Sequence, residues 1–234
     1  MFILLLSFSL SHTDLLFVDM GPQSTQLPET MRGWTQSRAG HPSQVLSISE
    51  ITRPALIDSD NEVLIRISHA ALNPGGSIIL QLCPFLFRTN PSIAEMDFSG
   101  IIVDAGTATE QSEQLGKGDK VFGSVDAGKH IKDGIGSLAE FVVVPRSNVV
   151  KQPQTNATEA EAAGLAIAGC TALDLLDAAS LKNGNSVLVY GASGGIGSMV
   201  VQMARDTVGS NGRVVAICSG GNADVVKVLG ADEV

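Results

Sequence analysis

Apolar and polar residues alternate in short segments through the first half of the chain. The segment EVLIRI (62–67) places its valine and isoleucines on one face, as a half-buried strand does. Similar segments, each bounded by glycine or proline, are FSGIIVDAG (98–106), GKGDKVFG (116–123) and SLAEFVVVP (137–145). Gly100 and Gly106 are expected to mark bends or bulges. Short strands punctuated in this way predict a small, irregular β-barrel.

The pattern changes to a helical one at about residue 156. Residues 156–181 are rich in alanine and leucine, and they begin with Thr158 and Glu161 in the S/T-x-x-E spacing of a capping box. This segment predicts one or two helices. The sequence therefore divides into an N-terminal extension, a β domain and an α/β unit, with bounds at 1–30, 31–155 and 156–234.

Strands and helices alternate in the α/β unit. Two apolar runs, at 186–190 and 213–218, predict strands of the fully buried kind. Helical periodicity follows each of them, at 198–208 and 222–230, and residues 231–234 lead towards a third strand. The β-α-β order implies parallel strands joined by right-handed crossovers.

The extension at the N-terminus begins with MFILLLSFSL, which resembles the apolar region of a signal peptide. No basic residue precedes this region, and the first one in the chain is Arg32. The extension is therefore interpreted as a segment preceding a domain that starts at Met31, either a misplaced start or a weak signal-like segment. We expect a cytoplasmic protein, with secretion or mitochondrial import disfavoured.

Composition narrows the classes of partner. Hydrophobic residues make up 44% and charged residues 17% of the 234 residues, so the chain can bury a core. The net charge is −9 and no basic patch stands out, which argues against nucleic acid. No apolar run approaches the roughly 18 residues that span a bilayer. Three isolated cysteines predict reduced, mostly buried thiols and no disulfide: Cys83, Cys170 and Cys218.

The clearest chemical motif is a glycine-rich turn between the first strand and the first helix of the α/β unit. Its spacing is G-x-x-G-G-x-G, and its context is that of a dinucleotide-binding turn. Glycines let the backbone approach a pyrophosphate, and a helix N-terminus attracts the anion. The alternative is a bare turn between strand and helix. The candidate phosphate-binding residues are Gly191, Ser193, Gly194, Gly195, Ile196 and Gly197.

The end of the second strand bears on the choice of cofactor. NAD-binding proteins carry an acidic residue there for the ribose 2′-hydroxyl. Here no acid lies between Cys218 and Asn222. Ser219, Gly220 and Asn222 could receive a 2′-phosphate instead. The sequence therefore favours NADPH over NADH.

A short-chain dehydrogenase has a similar glycine turn, but two features argue against that class. Its turn lies near the start of the domain, and a Tyr-x-x-x-Lys pair follows it. The only tyrosine here is Tyr190, which precedes the turn and is expected to be buried at the end of its strand.

The chain from Met31 to Val234 resembles the medium-chain dehydrogenase/reductase superfamily, in its zinc-independent branch of quinone oxidoreductases and enoyl reductases. The resemblance implies a GroES-like β-barrel followed by a Rossmann domain, with NADPH in the cleft between them. It further implies hydride transfer to the β-carbon of a small enone or quinone. The segments that carry it, in order, are ALNPGG (71–76), PSIAEMDFSGIIVDAG (91–106), LGKGDKVFG (115–123), GSLAEFVVVP (136–145), EAAGLAIAGCTALDLL (161–176), SVLVYGASGGIGS (186–198) and LGADEV (229–234).

Several expectations about single residues follow from the resemblance. Zinc-dependent relatives carry Gly-His-Glu where this chain has residues 95–97, and a cysteine within 72–74, so no metal is expected. Asn73 matches a position facing the nicotinamide and substrate, although an asparagine before proline also suits a turn. Thr171 matches a cofactor-contacting threonine, with helix packing as the alternative. Asp97 is expected to be structural. No proton donor is evident.

Residues Phe85, Leu86 and Phe87 are expected either to line the substrate or to pack in the core.

A complete doubly wound dinucleotide domain has about six strands, and the sequence supplies two and the approach to a third. We therefore expect a C-terminally truncated domain whose second strand has an open edge. The absent half would hold the nicotinamide and the dimer surface, so a homodimer is expected only where that half is present. Three interpretations stay open: a piece of an NADPH-dependent reductase, a non-catalytic nucleotide-binding protein and an interaction module.

Overall fold

The computed structural model describes most of the chain, namely residues 6–7, 27–58, 60–82, 88–106, 115–153 and 157–234. Contacts between Cα atoms divide it into two compact units, the first ending at Ala163 and the second running from Gly164 to Val234. The expectations for Cys83, for Phe85, Leu86 and Phe87 and for most of the N-terminal extension lie outside the described residues.

In the part of the chain that the structure describes, the first unit consists of short strands and four α-helices, of which the last follows the final strand. Its strands are β1 (Leu6–Ser7), β2 (Thr30–Gln36), β3 (Ser47–Thr52), β4 (Glu62–Ala71), β5 (Ser92–Ile93), β6 (Asp97–Asp104), β7 (Lys120–Ser124), β8 (Phe141–Pro145) and β9 (Val149–Lys151). Its helices are α1 (Pro42–Val45), α2 (Pro74–Leu82), α3 (Ala127–Asp133) and α4 (Glu159–Ala163). The four strands predicted from the sequence are therefore present as β4, β6, β7 and β8.

These strands form two antiparallel sheets. The larger has the order β1-β4-β6-β7-β9, with β8 also paired to β4, and the smaller has the order β3-β2-β5. A bridge between Gly33 and Ala139 connects β2 to the segment before β8. Irregular, short-stranded sheets joined in this way confirm the predicted barrel-like β domain.

Strand β4 has buried side chains on both of its faces, although Arg66 is exposed. Val63, Ile65 and Ile67 are buried as the alternation predicted, but Leu64 is only 1% exposed as well. The reason is that Leu64 packs into a second cluster with Met31 and Phe141, on the side that the sequence pattern would have left to solvent.

Close packing between strands explains why position 100 is a glycine. A Cβ there would overlap the carbonyl oxygen of Arg66 on the neighbouring strand β4. The pairing of β4 with β6 also shifts register between Ile67 and His69, next to this position. The irregularity predicted at Gly100 is therefore confirmed.

Helix α4 packs against the β domain. The hydroxyl of Ser99 on β6 donates to the carbonyl oxygen of Glu159 (2.6 Å), and Lys120 on β7 pairs with the Glu159 carboxylate (2.6 Å). The boundary between the units therefore lies one short helix beyond residue 155. The predicted capping box is present, since Glu161 N–H donates to Thr158 Oγ1 (3.2 Å) and Thr158 N–H donates to Glu161 Oε2 (2.8 Å).

The second unit has the β-α-β order that the sequence predicted. It contains α5 (Ala166–Ala179), β10 (Ser186–Tyr190), α6 (Gly195–Val208), β11 (Arg213–Ile217) and α7 (Ala223–Val228). Strands β10 and β11 pair in parallel, from Ser186 opposite Arg213 to Tyr190 opposite Ile217. A parallel bridge between Val215 and Glu233 begins the third strand.

The position of this third strand corrects an expectation. Glu233 occupies the outer edge of β11, so β11 is the middle strand. Among the described residues, the strand with an unpaired edge is β10, the first strand of the unit and not the second.

The prediction that β10 is fully buried is also wrong. Val187 and Val189 pack with the core residues of α6, but Leu188 is 62% and Tyr190 85% exposed. Successive side chains of a strand point to opposite faces, and a parallel sheet needs cover on both. In the described part of the chain, α6 covers only one face of β10.

The expectation of mostly buried thiols is wrong for Cys170, whereas Cys218 packs partly buried against the core of the second unit. Cys170 is exposed. Cys170 lies on the outer side of α5, because the neighbouring Gly169 and Ala172 occupy the buried side of that helix.

Candidate functional site

The glycine turn of the second unit is shaped by two close approaches. A Cβ on Gly197 would overlap the carbonyl oxygen of Gly191, so only glycine fits there. Gly191 has φ 73°, in the left-handed region that favours glycine. The amides of Gly191 and Ala192 both donate to Ile217 at the end of β11 (3.0 Å each), which fixes the turn to the neighbouring strand.

The N-terminus of α6 opens directly from this turn. Its N-cap is Gly194, which has no side chain to accept from the first backbone amides. The first α-helical bond runs from the amide of Ser198 to the carbonyl oxygen of Gly194 (2.9 Å). The amides of Gly195, Ile196 and Gly197 precede that bond, so they point outward at the positive end of the helix dipole. The arrangement suits the binding of a phosphate group.

The loop after β11 lies against the glycine turn. Its residues Gly220–Asn222 form a short 3₁₀ turn, and Asn222 Nδ2 donates to Ser193 Oγ (3.1 Å). A Cβ on Gly220 or Gly221 would meet open space. The structure thus brings together the two residue groups that the sequence predicted separately, around a loop that contains no carboxylate.

Two further predictions concern Thr171 and Tyr190 of the second unit. Thr171 Oγ1 donates to Ile167 one helical turn earlier (2.7 Å), a bond that anchors the hydroxyl to α5 and leaves its cofactor contact a prediction. Tyr190 was expected to be buried and is not. Its strand borders an apolar cavity of about 460 Å³ that runs beside the glycine turn and is lined on its far side by Leu175 and Leu176 of α5.

A second candidate site lies in the first unit, where α2 begins. Asn73 immediately precedes α2, and its Nδ2 donates to Asp97 Oδ2 (3.0 Å). Asp97 is fully buried, so it fixes the orientation of the Asn73 amide. This hydrogen bond gives Asp97 the structural role that the sequence analysis expected.

Glu95 completes this cluster, although no sequence motif indicated it. Its Oε2 accepts from the Asn73 backbone amide (3.0 Å), and the residue is 6% exposed. Its carboxylate fills space against α2 that a Cβ on Gly76 would occupy. Glu95 also has φ 61°, in the left-handed region. The available signal was a glutamate at the position where zinc-dependent relatives have glycine.

The surroundings of Glu95 alter its acidity. Burial raises the pKa of the Glu95 carboxyl, and repulsion from Asp97 adds to this, while the Asn73 amide lowers it. The result is a pKa of about 7, against the usual 4.5. Near neutral pH this carboxyl therefore exists in both its acid and its ionised form.

Glu95 and Asn73 border a small cavity of about 260 Å³. The remaining lining is mostly apolar and comes from β2, α1, α2 and the loops beside them: Trp34, Pro42, Leu46, Leu72, Ser77, Leu80 and Leu138. A mostly apolar cavity with a few convergent polar groups is typical of a small-molecule site.

Neither a metal cluster nor a membrane span is found within the described ranges. No group of three or more His, Cys, Asp or Glu side chains there could hold a metal ion. No described helix is both long and apolar enough to cross a bilayer. The metal-free site stays a prediction.

Comparison with known proteins agrees with this architecture. The alcohol dehydrogenase GroES-like domain matches residues 59–154. The chain is 34% identical over 214 residues to the 2-methylene-furan-3-one reductase of Solanum lycopersicum, covering 89% of this chain and 53% of that protein. It is 32% identical over 213 residues to a chloroplastic NADPH-dependent alkenal/one oxidoreductase of Arabidopsis thaliana, covering 88% of this chain and 52% of that protein.

A solved structure shows the same fold. The quinone oxidoreductase from Coxiella burnetii superposes with a TM-score of 0.75 at 27% identity, covering 87% of this chain and 61% of that one. The chain thus spans roughly half to three-fifths of the length of these proteins. One of the relatives is named as chloroplastic, so the cytoplasmic location stays a prediction.

A GroES-like domain followed by a parallel β-α-β unit with a glycine turn defines a class of nucleotide-dependent oxidoreductases. The chain belongs to the medium-chain dehydrogenase/reductase superfamily, in the branch that contains quinone oxidoreductases and enoyl reductases.

Proposed function

We propose that the chain is part of an NADPH-dependent reductase that adds hydride to an activated C=C bond or a quinone without zinc. The observation that carries this proposal is the start of α6, where Gly194 leaves three backbone amides open to a phosphate. When bound, NADPH supplies the hydride, and the protein supplies binding, orientation and exclusion of water.

Two groups of residues in the second unit would bind different parts of the nucleotide. The amides of Gly195–Gly197 hold the pyrophosphate. Ser219, Gly220 and Asn222 would donate hydrogen bonds to the ribose 2′-phosphate, because their loop has open space and no carboxylate to repel it. The name of the Arabidopsis relative, which prints NADPH dependence, supports this choice over NADH.

The first unit supplies the substrate side. At the positions where zinc-dependent relatives carry histidine and cysteine, this chain has Met96 and the segment 72–74, Leu-Asn-Pro. These side chains do not make a zinc site. The substrate carbonyl therefore depends on hydrogen-bond donors and not on a Lewis acid. Relatives named as acting on a methylene-furanone and on alkenals support an enone as substrate.

The test combines binding with turnover. We expect NADPH to raise the melting temperature of the purified chain more than NADH does, since only NADPH engages the loop at Ser219–Asn222. NADPH oxidation with a simple enone or quinone then separates a reductase from a protein that only binds the nucleotide. Turnover would establish the reductase, and stabilisation by neither nucleotide would contradict the proposal.

A further inference from the structure

We propose that Glu95, in its carboxylic acid form, hydrogen-bonds the carbonyl oxygen of a small enone or quinone in the cavity beside Trp34 and supplies the proton that completes its reduction. The proton-transfer part rests on the proposed function, whereas the carbonyl contact does not. The inference assigns a catalytic residue to a reaction for which the sequence offered no proton donor.

The first support is the conformation of the residue. Glu95 adopts φ 61°, which a side chain disfavours and glycine accepts freely. Such a conformation persists only when its surroundings hold it, and it is concentrated at functional sites. Backbone hydrogen bonds do hold this segment: Ala94 N–H to Trp34 O (3.2 Å), Leu138 N–H to Ala94 O (3.0 Å), Ser137 N–H to Glu95 O (2.9 Å) and Val125 N–H to Met96 O (3.0 Å).

The second support is the shape and lining of the cavity. Its volume of about 260 Å³ is smaller than the roughly 300–1,000 Å³ of pockets for drug-sized ligands, which favours a small ring or a short chain. The lining is apolar apart from Asn73, Ser77 and Glu95. An apolar ring with one carbonyl group matches such a lining, because its oxygen needs one hydrogen-bond donor.

Within the described residues, Asp97 on β6 is the charged group that acts on Glu95, and it favours the acid form of the carboxyl by repulsion. The cavity-lining residues contributed by β2, α1, α2 and the loop before β8 are all uncharged. The pKa of the Glu95 carboxyl is about 7, so its acid form is present near neutral pH and can donate a proton. The carboxylate that results can be reprotonated from water.

The chemical step balances with these groups. When the β-carbon of the enone accepts the hydride, the C=C electron pair shifts and the carbonyl oxygen becomes an enolate oxygen. The Glu95 O–H bond breaks, its proton passes to that oxygen, and Glu95 is left as a carboxylate. The enol then tautomerises to the saturated ketone, and water returns a proton to Glu95. The net consumption is one hydride and one proton per substrate.

A structural role for Glu95 is the competing explanation. Its carboxylate accepts from the Asn73 amide at the start of α2, so it could simply cap that helix. A cap needs an acceptor only, and it predicts no response of ligand binding to the protonation of Glu95. The two explanations therefore differ in the pH dependence of binding.

The binding test uses the single tryptophan of the chain, Trp34, which lines the cavity. Cyclohexenone is titrated into the protein without nucleotide while Trp34 fluorescence is recorded. If only the acid form binds, affinity falls about tenfold between roughly one pH unit below and one above 7. Cyclohexene, which has no carbonyl oxygen, is the matched ligand control and should bind independently of pH.

Two variants of Glu95 test whether its acid form donates to the carbonyl oxygen. Glu95→Gln keeps a hydrogen-bond donor that does not titrate, so it should bind cyclohexenone equally at both pH values. Glu95→Gly suits the left-handed backbone but has no donor, so it should fold and bind weakly at either pH. Binding by the wild type that does not change with pH, or wild-type affinity in Glu95→Gly, would overturn the carbonyl contact.

Turnover tests the proton transfer separately. In an active protein, Glu95→Gln should lower kcat much more than it changes the affinity for cyclohexenone, and should remove the neutral pKa from the pH profile. Undiminished kcat in Glu95→Gln would overturn the role of proton donor. A wild type that binds cyclohexenone with the expected pH dependence but is stabilised by neither NADPH nor NADH would overturn the proposed function and keep the carbonyl contact.

Discussion

The glycines of the turn before α6 are needed for different reasons. Gly197 is required by close packing, because a Cβ there would overlap Gly191 O. Gly191 is required by its positive φ, with open space around it. Gly220, in the neighbouring loop, has neither constraint. The sequence motif treats these positions alike, and their surroundings separate them.

This difference gives a matched pair of substitutions. Gly197→Ala should destabilise the second unit by more than about 1 kcal/mol and abolish NADPH binding, because the turn must open to admit the Cβ. Gly220→Ala places its Cβ in open space and should leave stability within about 0.5 kcal/mol of the wild type. Urea denaturation and calorimetric titration with NADPH measure both effects. Equal behaviour of the two variants would contradict the close packing at Gly197.

The raised pKa of Glu95 has a consequence for stability that is independent of any ligand. The folded protein holds the Glu95 proton up to about pH 7, whereas the unfolded chain releases it near 4.5. The folded state is thus favoured below the lower value, and this contribution is lost as pH rises through the higher one. The difference corresponds to about 3 kcal/mol in the free energy of unfolding.

The effect is measured as the difference in unfolding free energy between the wild type and Glu95→Gln, whose side chain cannot titrate. Relative to that variant, the wild type should lose about 3 kcal/mol of unfolding free energy between about pH 4 and pH 8. Urea denaturation across this interval measures the loss. Parallel curves for the two proteins would show that Glu95 titrates normally.

At the scale of elements, α4 illustrates a local signal that the structure confirms. Thr158 and Glu161 satisfy each other's backbone amides at the start of a helix of only five residues. So short a helix is not stable in isolation, and its packing on β4 and β6 accounts for its place in the first unit. The sequence predicted the capping residues, but it did not predict the unit to which the helix belongs.

Removing this cap should have a measurable cost. Thr158→Ala should lower the free energy of unfolding by about 1 kcal/mol, because it leaves the Glu161 amide without its side-chain acceptor. Thr207→Ala is the control, since the Thr207 hydroxyl only bonds back to Met203 within α6 and its loss should be close to neutral. Chemical denaturation of both variants provides the comparison, and a smaller effect at Thr158 than at Thr207 would count against the capping box.

For the whole molecule, the exposed edge of β10 is the feature with the clearest consequence. In the described part of the chain β10 pairs only with β11, and Leu188 and Tyr190 project from it in exposed positions. An unpaired apolar strand edge is a template for association with another chain.

We expect the 234-residue chain to self-associate with rising concentration. Leu188→Lys should reduce this association, because a charged side chain on an edge strand opposes pairing. Ile57→Lys is the matched control, since Ile57 is 95% exposed but lies in a loop of the first unit, and it should have little effect. Light scattering across a concentration series measures all three proteins. Equal association of both variants would place the contact elsewhere.

Most of the architecture could be predicted from local patterns. The alternation at 62–67, the capping box at Thr158 and the glycine turn at Gly191–Gly197 each predicted the element that the structure contains. Predictions failed where burial depends on a neighbour distant in sequence. Leu64 is buried by Met31 and Phe141, and Tyr190 is exposed because α6 covers the opposite face of β10.

The candidate site likewise contains one part that the sequence predicted and one part that it did not. The sequence by itself determined the glycine turn, because a strand, a glycine-rich segment and a helix N-terminus are contiguous and need no distant partner. Only the tertiary structure identified Glu95, because its burial, its left-handed backbone and its contact with Asn73 arise from segments that meet in space. The same residue exposed on a surface would be an ordinary carboxylate, since desolvation by its neighbours is what moves its pKa.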